Sequence, residues 1–222
     1  MTQNGPGYLP ALRWKALTPF FDTVVRVTAR EHATKRCLLD QADVTPGDSV
    51  LDLGAGTGTL AIWLKQRRPD ARVAALDADP DVIAIARRKA ANAHCEIDFV
   101  EGFSTELPFP AGSFDVLLSS LFFHHLTGAD KRKTLTEVRR VLKPGGALHV
   151  ADWGKPSDPL MAVLFLSVRA LDGFEVTADN VRGALPALFE EAGLEDAKER
   201  QRLRTALGTL CLYSARKGGI AP

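Results

Sequence analysis

From Ser49 onward the apolar and polar positions alternate between short buried-looking runs and longer stretches of helical period, the pattern of βαβ units building a parallel sheet. The short runs predict strands over Ser49–Leu53, Arg72–Leu76, Ile97–Val100, Phe114–Ser120 and Ala147–Asp152. The longer stretches predict helices over Thr59–Arg67, Pro80–Asn92 and Asp130–Leu142. Before them, Thr18-Pro19 is a helix start, with Phe20, Phe21, Val24 and Val25 at helical spacing behind it. After Asp152 the rhythm changes. Lys155–Gly193 is helical in composition, broken by Pro156, Pro159, Gly173 and Pro186, and Thr177–Asn180 resembles another helix start. Glu195–Arg216 reads as two strands turning around Thr205–Gly208, an antiparallel hairpin at the sheet edge.

The expected fold is therefore α/β and Rossmann-like: a seven-stranded, mostly parallel sheet, helices on both faces and a C-terminal antiparallel edge hairpin. The chain reads as one domain in four parts: a helical cap over residues 1–45, a core over 46–153, a helical insert over 154–193 and the hairpin over 194–222. Its 222 residues, 45% hydrophobic, suffice for a full core. Against 27 acidic residues stand 28 basic ones, which leaves no global attraction to nucleic acid or anionic membrane. Lys131, Arg132 and Lys133 open a helix whose apolar face is Leu135, Val138, Val141 and Leu142, and they read as a solvated helix face. Cys37, Cys95 and Cys211 lie far apart with no CxxC spacing, which disfavours a disulfide framework or a zinc site and fits a cytoplasmic setting. The N-terminus lacks a secretory pattern, and the longest apolar run, Val116–Leu126, is too short to span a bilayer. No membrane insertion and no metal are expected, and the oligomeric state is not legible.

The chemistry concentrates in VLDLGAGTGTLAIWL, residues 50–64. Gly54, Gly56 and Gly58 let the backbone pass close beneath a ligand at the carboxyl end of a strand, where open α/β sheets bind their ligands. A dinucleotide loop expects a third glycine where Thr59 stands. Asp52 repels a pyrophosphate and attracts an ammonium, so the ligand should be cationic there. Asp77, in VAALDADP, lies 23 residues past Gly54, where an acid takes the hydroxyls of a ribose. It could instead cap the helix near Pro80, although Asp79 stands closer to that start. A nucleoside with a cationic amino-acid tail describes S-adenosylmethionine.

The chain resembles the class I S-adenosylmethionine-dependent methyltransferases, and within them the bacterial ubiquinone and menaquinone C-methyltransferase group. The resemblance rests on VLDLGAGTG, ALDADP, ELPFPAGSFDVLLSSLFFHHL and EVRRVLKPGGALHVADW, covering Val50 to Trp153, with a weaker likeness in PFFDTVVRVTARE. It implies that Asp52, Gly54, Ala55, Gly56 and Gly58 hold the methionine portion, that Asp77 takes the ribose hydroxyls and that Ala78 flanks the adenine. The family's GDAxxLPFP stands here as GFSTELPFP, so Phe103 occupies the place of an acid that would bind the adenine amino group. Phe103 is expected on the adenine ring, with Ser104 or a backbone carbonyl taking the amino group. Ser119 and Ser120 either end a strand or touch the methionyl group.

Methyl transfer from a sulfonium is an in-line displacement that needs no protein nucleophile, and a base only if the acceptor loses a proton. His124 and His125, after the fourth strand, are the candidates; neighbours cannot both enter one pocket, so at most one acts, and His124 is favoured. Either could equally bond a loop backbone or pack beside Phe122 and Phe123. His32, His94 and His149 are assigned no role. Trp14, Phe20, Phe21, Trp153, Phe165 and Phe174 are candidates to line an acceptor pocket, although aromatics at helical spacing are commonly core. The expected partner is a small, apolar or aromatic methyl acceptor. Two other classes stay open: an NAD-dependent oxidoreductase, and an S-adenosylmethionine-binding regulator without methyl transfer.

Overall fold

The computed structural model describes residues 31–219. The helix start at Thr18-Pro19 and the candidate pocket residues Trp14, Phe20 and Phe21 lie outside them. In chain order the elements are α1 (Glu31–Ala42), β1 (Ser49–Leu53), α2 (Thr59–Arg67), β2 (Arg72–Asp77), α3 (Pro80–Asn92), β3 (Asp98–Glu101) and β4 (Phe114–Ser120). A 3₁₀ turn (Phe123–His125) follows, then α4 (Gly128–Val141), β5 (Leu142–Trp153), α5 (Pro159–Asp172), α6 (Ala178–Arg182), α7 (Leu185–Glu191), β6 (Leu194–Thr205) and β7 (Gly208–Lys217).

One seven-stranded sheet carries them in the order β3-β2-β1-β4-β5-β7-β6. The first five strands in that order are parallel, while β7 runs antiparallel to both β5 and β6. The hairpin predicted around Thr205–Gly208 is present, with its second strand paired to β5 and its first at the edge. Two-residue alternation sends β1 side chains to opposite faces. Val50 joins a core with Leu38 and Leu39 of α1, Leu60 and Leu64 of α2 and Ile83 of α3. Leu51 and Leu53 join a second core with Leu135 and Val138 of α4 and Leu185 and Phe189 of α7. Helices thus cover both faces.

Several element bounds differ from those read in the sequence. The fifth strand begins at Leu142, which pairs with Phe114, and the KPGG segment bulges out before Ala147 pairs with Val116. Gly146 sits inside that bulge against backbone carbonyls, where a Cβ would lie 2.9 Å from Lys143 O. The reading of Lys131 as solvated is overturned. Its side chain is fully buried, and Nζ donates to Val176 O at 2.6 Å and faces Asp179 Oδ2 at 3.4 Å, because the α5–α6 connection folds over the start of α4. Arg132 and Lys133 remain exposed.

Candidate active site

Strand order reverses between the parallel β1 and β4: β2 and β3 lie on one side, β5 on the other. In such sheets the crevice beyond the carboxyl ends at this point is the ligand site. The glycine turn leaves β1 there. Gly54 and Ala55 donate to Leu76 O at 2.9 and 3.0 Å, and Gly58 donates to Ala55 O at 3.0 Å. All three glycines have positive φ, at 70°, 54° and 72°. Two are also hemmed in: a Cβ on Gly54 would lie 2.3 Å from the Phe122 ring, and one on Gly58 would lie 3.0 Å from Ala86 and Phe99. At Gly56 nothing stands within 4 Å of a Cβ position, so this part of the turn borders open space.

Asp77 ends β2 beside that turn. Its Oδ2 accepts from Gly56 N at 2.8 Å and its Oδ1 from Asp79 N at 3.1 Å. Burial raises its carboxyl above the ordinary range, against the pull of those two amides. The helix cap is Asp79, whose Oδ1 accepts from Asp81 N and Val82 N. Asp77 is thereby free of the capping task, and half-buried Ala78 follows it at the crevice edge.

Asp52 shares the face of Val50 and is 1% exposed beneath α2. Its Oδ2 accepts from Ala61 N at 3.1 Å in the first turn of that helix. Burial pushes its carboxyl up to about 7, opposed by the Lys35 charge and the Ala61 amide. The carboxylate sits under the glycine turn as a helix-start ligand and a half-titrated buried acid.

The remaining predicted cofactor residues divide. Phe103 is 52% exposed, whereas Ser104 is buried with Oγ 2.8 Å from Thr134 Oγ1 on α4. Ser119 is fully buried, and its hydroxyl donates to Leu53 O at 2.9 Å, tying the tips of β4 and β1. Ser120, one residue on, has a buried hydroxyl with no hydrogen-bond partner among the described residues.

Sequence reasoning missed the group that organises the loop after β4: Asp152, near the carboxyl end of β5. It is fully buried and accepts from Phe122 N (3.1 Å), His124 N (3.3 Å), Trp153 N (2.7 Å) and His124 Nδ1 (2.7 Å). Although burial opposes ionisation, the His124 ring and these donors hold its carboxyl below the ordinary range. An ionised carboxylate only accepts, so His124 Nδ1 carries a proton. The available signal was an acid standing in an apolar strand, ALHVADW, as Asp52 does in VLDL. By gripping Phe122 N, Asp152 also fixes the residue whose ring backs Gly54.

His124 is 4% exposed, and its Nε2 faces Asp172 Oδ2 at the end of α5 at 3.6 Å. Burial works against its charged form, but Asp152 and Asp172 outweigh it and raise its pKa. His125 stacks on it, ring centroids 3.9 Å apart. Burial and the His124 charge push His125 down to about 3. His124, His125 and Asp172 bring three ligand-type atoms within 4.8 Å of one another. His124 lies between Asp152 and Asp172, and both carboxylates favour its protonated form.

Of the predicted aromatic lining, the three described residues, Trp153, Phe165 and Phe174, do not all come together. Trp153 and Phe165, each 2% exposed, pack together with centroids 5.2 Å apart in a core with Val168 and Leu210. Phe174 is exposed, with Arg169 over its ring at 4.6 Å.

A family model for a methyltransferase domain matches residues 50–146. The demethylmenaquinone methyltransferase of Thermus thermophilus is 45% identical over 107 residues, 48% of either chain, so this chain spans about half of that relative's length. The ubiquinone/menaquinone biosynthesis C-methyltransferase of Xanthomonas axonopodis pv. citri is 34% identical over 184 residues, covering 72% of this chain and 71% of that one. Among solved structures, the YcgJ protein of Bacillus subtilis superposes with a TM-score of 0.67 at 22% identity, over 85% of this chain and 100% of that one, a likeness of fold.

Proposed function

The chain belongs to the class I S-adenosylmethionine-dependent methyltransferase family, in its ubiquinone/menaquinone C-methyltransferase-like group, and from that premise we propose that it methylates a small apolar or aromatic molecule, with a hydroxylated quinone ring as the best-fitting acceptor class. S-adenosylmethionine is the family's cofactor, and when bound it supplies an electrophilic methyl group on a sulfonium. The residues present suit it. Gly56 leaves open space where any side chain would intrude, Asp77 presents a carboxylate beside it, and at the adjoining strand tip the buried Ser120 hydroxyl lacks a partner among the described residues. Asp52, Gly54, Ala55, Gly56 and Gly58 would hold the methionine portion, Asp52 from beneath the turn. Asp77 would take the ribose, and Ala78 and exposed Phe103 would border the adenine. Ser104 and Ser119, engaged with Thr134 and Leu53, would support the walls.

The observation that carries the acceptor side is the 2.7 Å bond between His124 Nδ1 and Asp152 at the edge of the crevice. The ring carbon beside a hydroxyl becomes a competent nucleophile as that hydroxyl loses its proton. Once the carbon has taken the methyl group, with release of S-adenosylhomocysteine, the carbon's own hydrogen leaves as a proton and the oxygen is reprotonated, restoring the aromatic ring. A positioned imidazole serves the first deprotonation. His124 would receive the proton at Nε2. Asp152 fixes the ring's orientation and tautomer through Nδ1 and stabilises the imidazolium that forms. His125 stays neutral and packs on the base. The insert over residues 154–193 would cover the acceptor, since Asp172 at the end of α5 reaches His124. That insert leaves Leu160, Val163, Leu166, Leu171 and Phe174 exposed, an apolar surface suited to a lipophilic molecule.

The deciding experiment is transfer of labelled methyl from S-adenosylmethionine to short-chain demethylated benzoquinols and naphthoquinols by the full chain. Labelled ring-methylated product supports the reading, and tight binding of S-adenosylhomocysteine with no transfer to any such acceptor would refute the acceptor class. Thermal stabilisation by NAD and not by S-adenosylhomocysteine would refute the cofactor.

A further inference from the structure

On the face of the sheet covered by α1, at the middle of β5, a cavity of about 290 Å³ is lined by Gln41, His149, Arg200, Ser214 and Arg216, with Ala147 and Ala215. Pairing of His149 with Ser214 and of Ala147 with Arg216 brings these side chains to one place. The crevice lies at the carboxyl end of β5, four residues beyond His149 or roughly 13 Å along the strand at the usual rise.

Hydrogen bonding fixes the character of this cavity. The Gln41 amide nitrogen donates to Tyr213 O at 2.8 Å, which identifies that atom as N–H, and it lies 3.0 Å from His149 Nδ1. His149 Nδ1 therefore accepts, and the neutral ring bears its proton on Nε2. Burial together with the Arg216 and Arg200 charges holds His149 down to about 4, so it keeps that form at neutral pH. Its Nε2–H has no hydrogen-bond acceptor among the described residues. Arg200 gives Nε to Ser214 Oγ at 2.6 Å and one terminal nitrogen to Asp196 at 3.1 Å, which leaves further N–H groups unused. Arg216 stands opposite Glu195 in register yet forms no ion pair among the described residues.

We propose that this cavity is a binding site for a phosphomonoester, held by the Arg216 and Arg200 guanidiniums and by His149 Nε2–H. Its donors converge from two strands and the buried ring, and guanidiniums match phosphate oxygens in pairs. The cavity exceeds a bare phosphate and has room for a small attached group. The recessed imidazole favours a soluble ligand over a lipid surface.

The test is calorimetric titration of the full chain with inorganic phosphate at constant ionic strength set by chloride, followed by titration with glycerol phosphate. Saturable binding is expected, weakened at least tenfold in Arg216→Gln and in Arg200→Gln and unchanged in Lys133→Gln, an exposed basic position on α4. Affinity for S-adenosylhomocysteine should be the same in all three, which also reports that they fold. Absence of saturable binding would overturn the site, as would equal weakening by Lys133→Gln or retention in the Arg200/Arg216 double variant. Association with phosphatidic acid vesicles but not with either soluble phosphate would overturn it as well.

Discussion

Gly56 N donates to Asp77 Oδ2 at 2.8 Å, so the glycine turn of β1 is held by the acid at the tip of β2. One carboxylate thus shapes the turn and, in the proposed reading, also takes the ribose. Asp77→Ala should therefore weaken S-adenosylhomocysteine binding by at least 100-fold and lower stability. Asp77→Asn, which keeps an acceptor for Asp79 N but loses the charge, should cost about tenfold in affinity. Calorimetry would check this, and unchanged affinity in Asp77→Ala would remove Asp77 from the site.

The three glycines make different demands. Gly54→Ala drives a Cβ to 2.3 Å from the Phe122 ring and places a side chain at φ 70°. Gly56→Ala carries only the left-handed cost, about 1–2 kcal/mol, because its surroundings are open. Chemical denaturation should find Gly54→Ala the less stable of the two by at least 1 kcal/mol. Cofactor affinity should suffer in Gly56→Ala beyond anything its stability explains, because there the added methyl enters the crevice.

Asp52 links binding to pH. A carboxyl raised to about 7 in the fold, against 3.8 ordinarily, is protonated in the native state where the unfolded chain has lost its proton. Between about pH 4 and pH 7 the native state thus binds more protons, and raising pH through that window lowers stability. Asp52→Asn should flatten this slope and raise Tm at pH 8 by roughly 2–8 °C, the equivalent of about 1–2 kcal/mol. A ligand ammonium above Asp52 favours its ionised form, so binding at pH 7 should release about half a proton, the fraction a group with that pKa still holds. Titrations in buffers of different ionisation enthalpy would show it. A release that persists in Asp52→Asn would assign the proton to another group.

Parallel strands and the glycine turn were legible because local pattern dictates them: VLDLGAGTG has to leave a buried strand through positive-φ positions. Asp79 as the α3 cap was legible for the same reason, since a cap is a contact between near neighbours. What long-range packing decides was not. Lys131 looks like a surface cation on α4 until the α5–α6 connection closes over it with Val176 O and Asp179. Nothing local in the sequence reveals that Ser104 meets Thr134 or that Ser119 donates to Leu53 O. Asp152 and His124 are 28 positions apart, and only the adjacency of β4 and β5 joins them.

That last pairing determines how the reaction should respond to pH. A base must be unprotonated, and Asp152 and Asp172 raise the pKa of His124 above the usual 6.5. The acid limb of kcat/KM for a quinol acceptor should therefore have an apparent pKa above 6.5, with the rate rising as pH increases through it. His125, held down to about 3, stays neutral across the working range and contributes no limb. Asp152→Asn removes the anion that raises His124 and frees the ring to take the other tautomer, so the limb should move to lower pH while kcat falls by about 10²–10⁴-fold. His124→Ala should abolish the limb, and His125→Ala should change kcat by less than about tenfold. S-adenosylhomocysteine affinity in each variant separates chemistry from folding. A limb that stays in place in Asp152→Asn, or full turnover in His124→Ala, would exclude His124 as the base and leave the pair as a structural clasp on the loop behind Gly54.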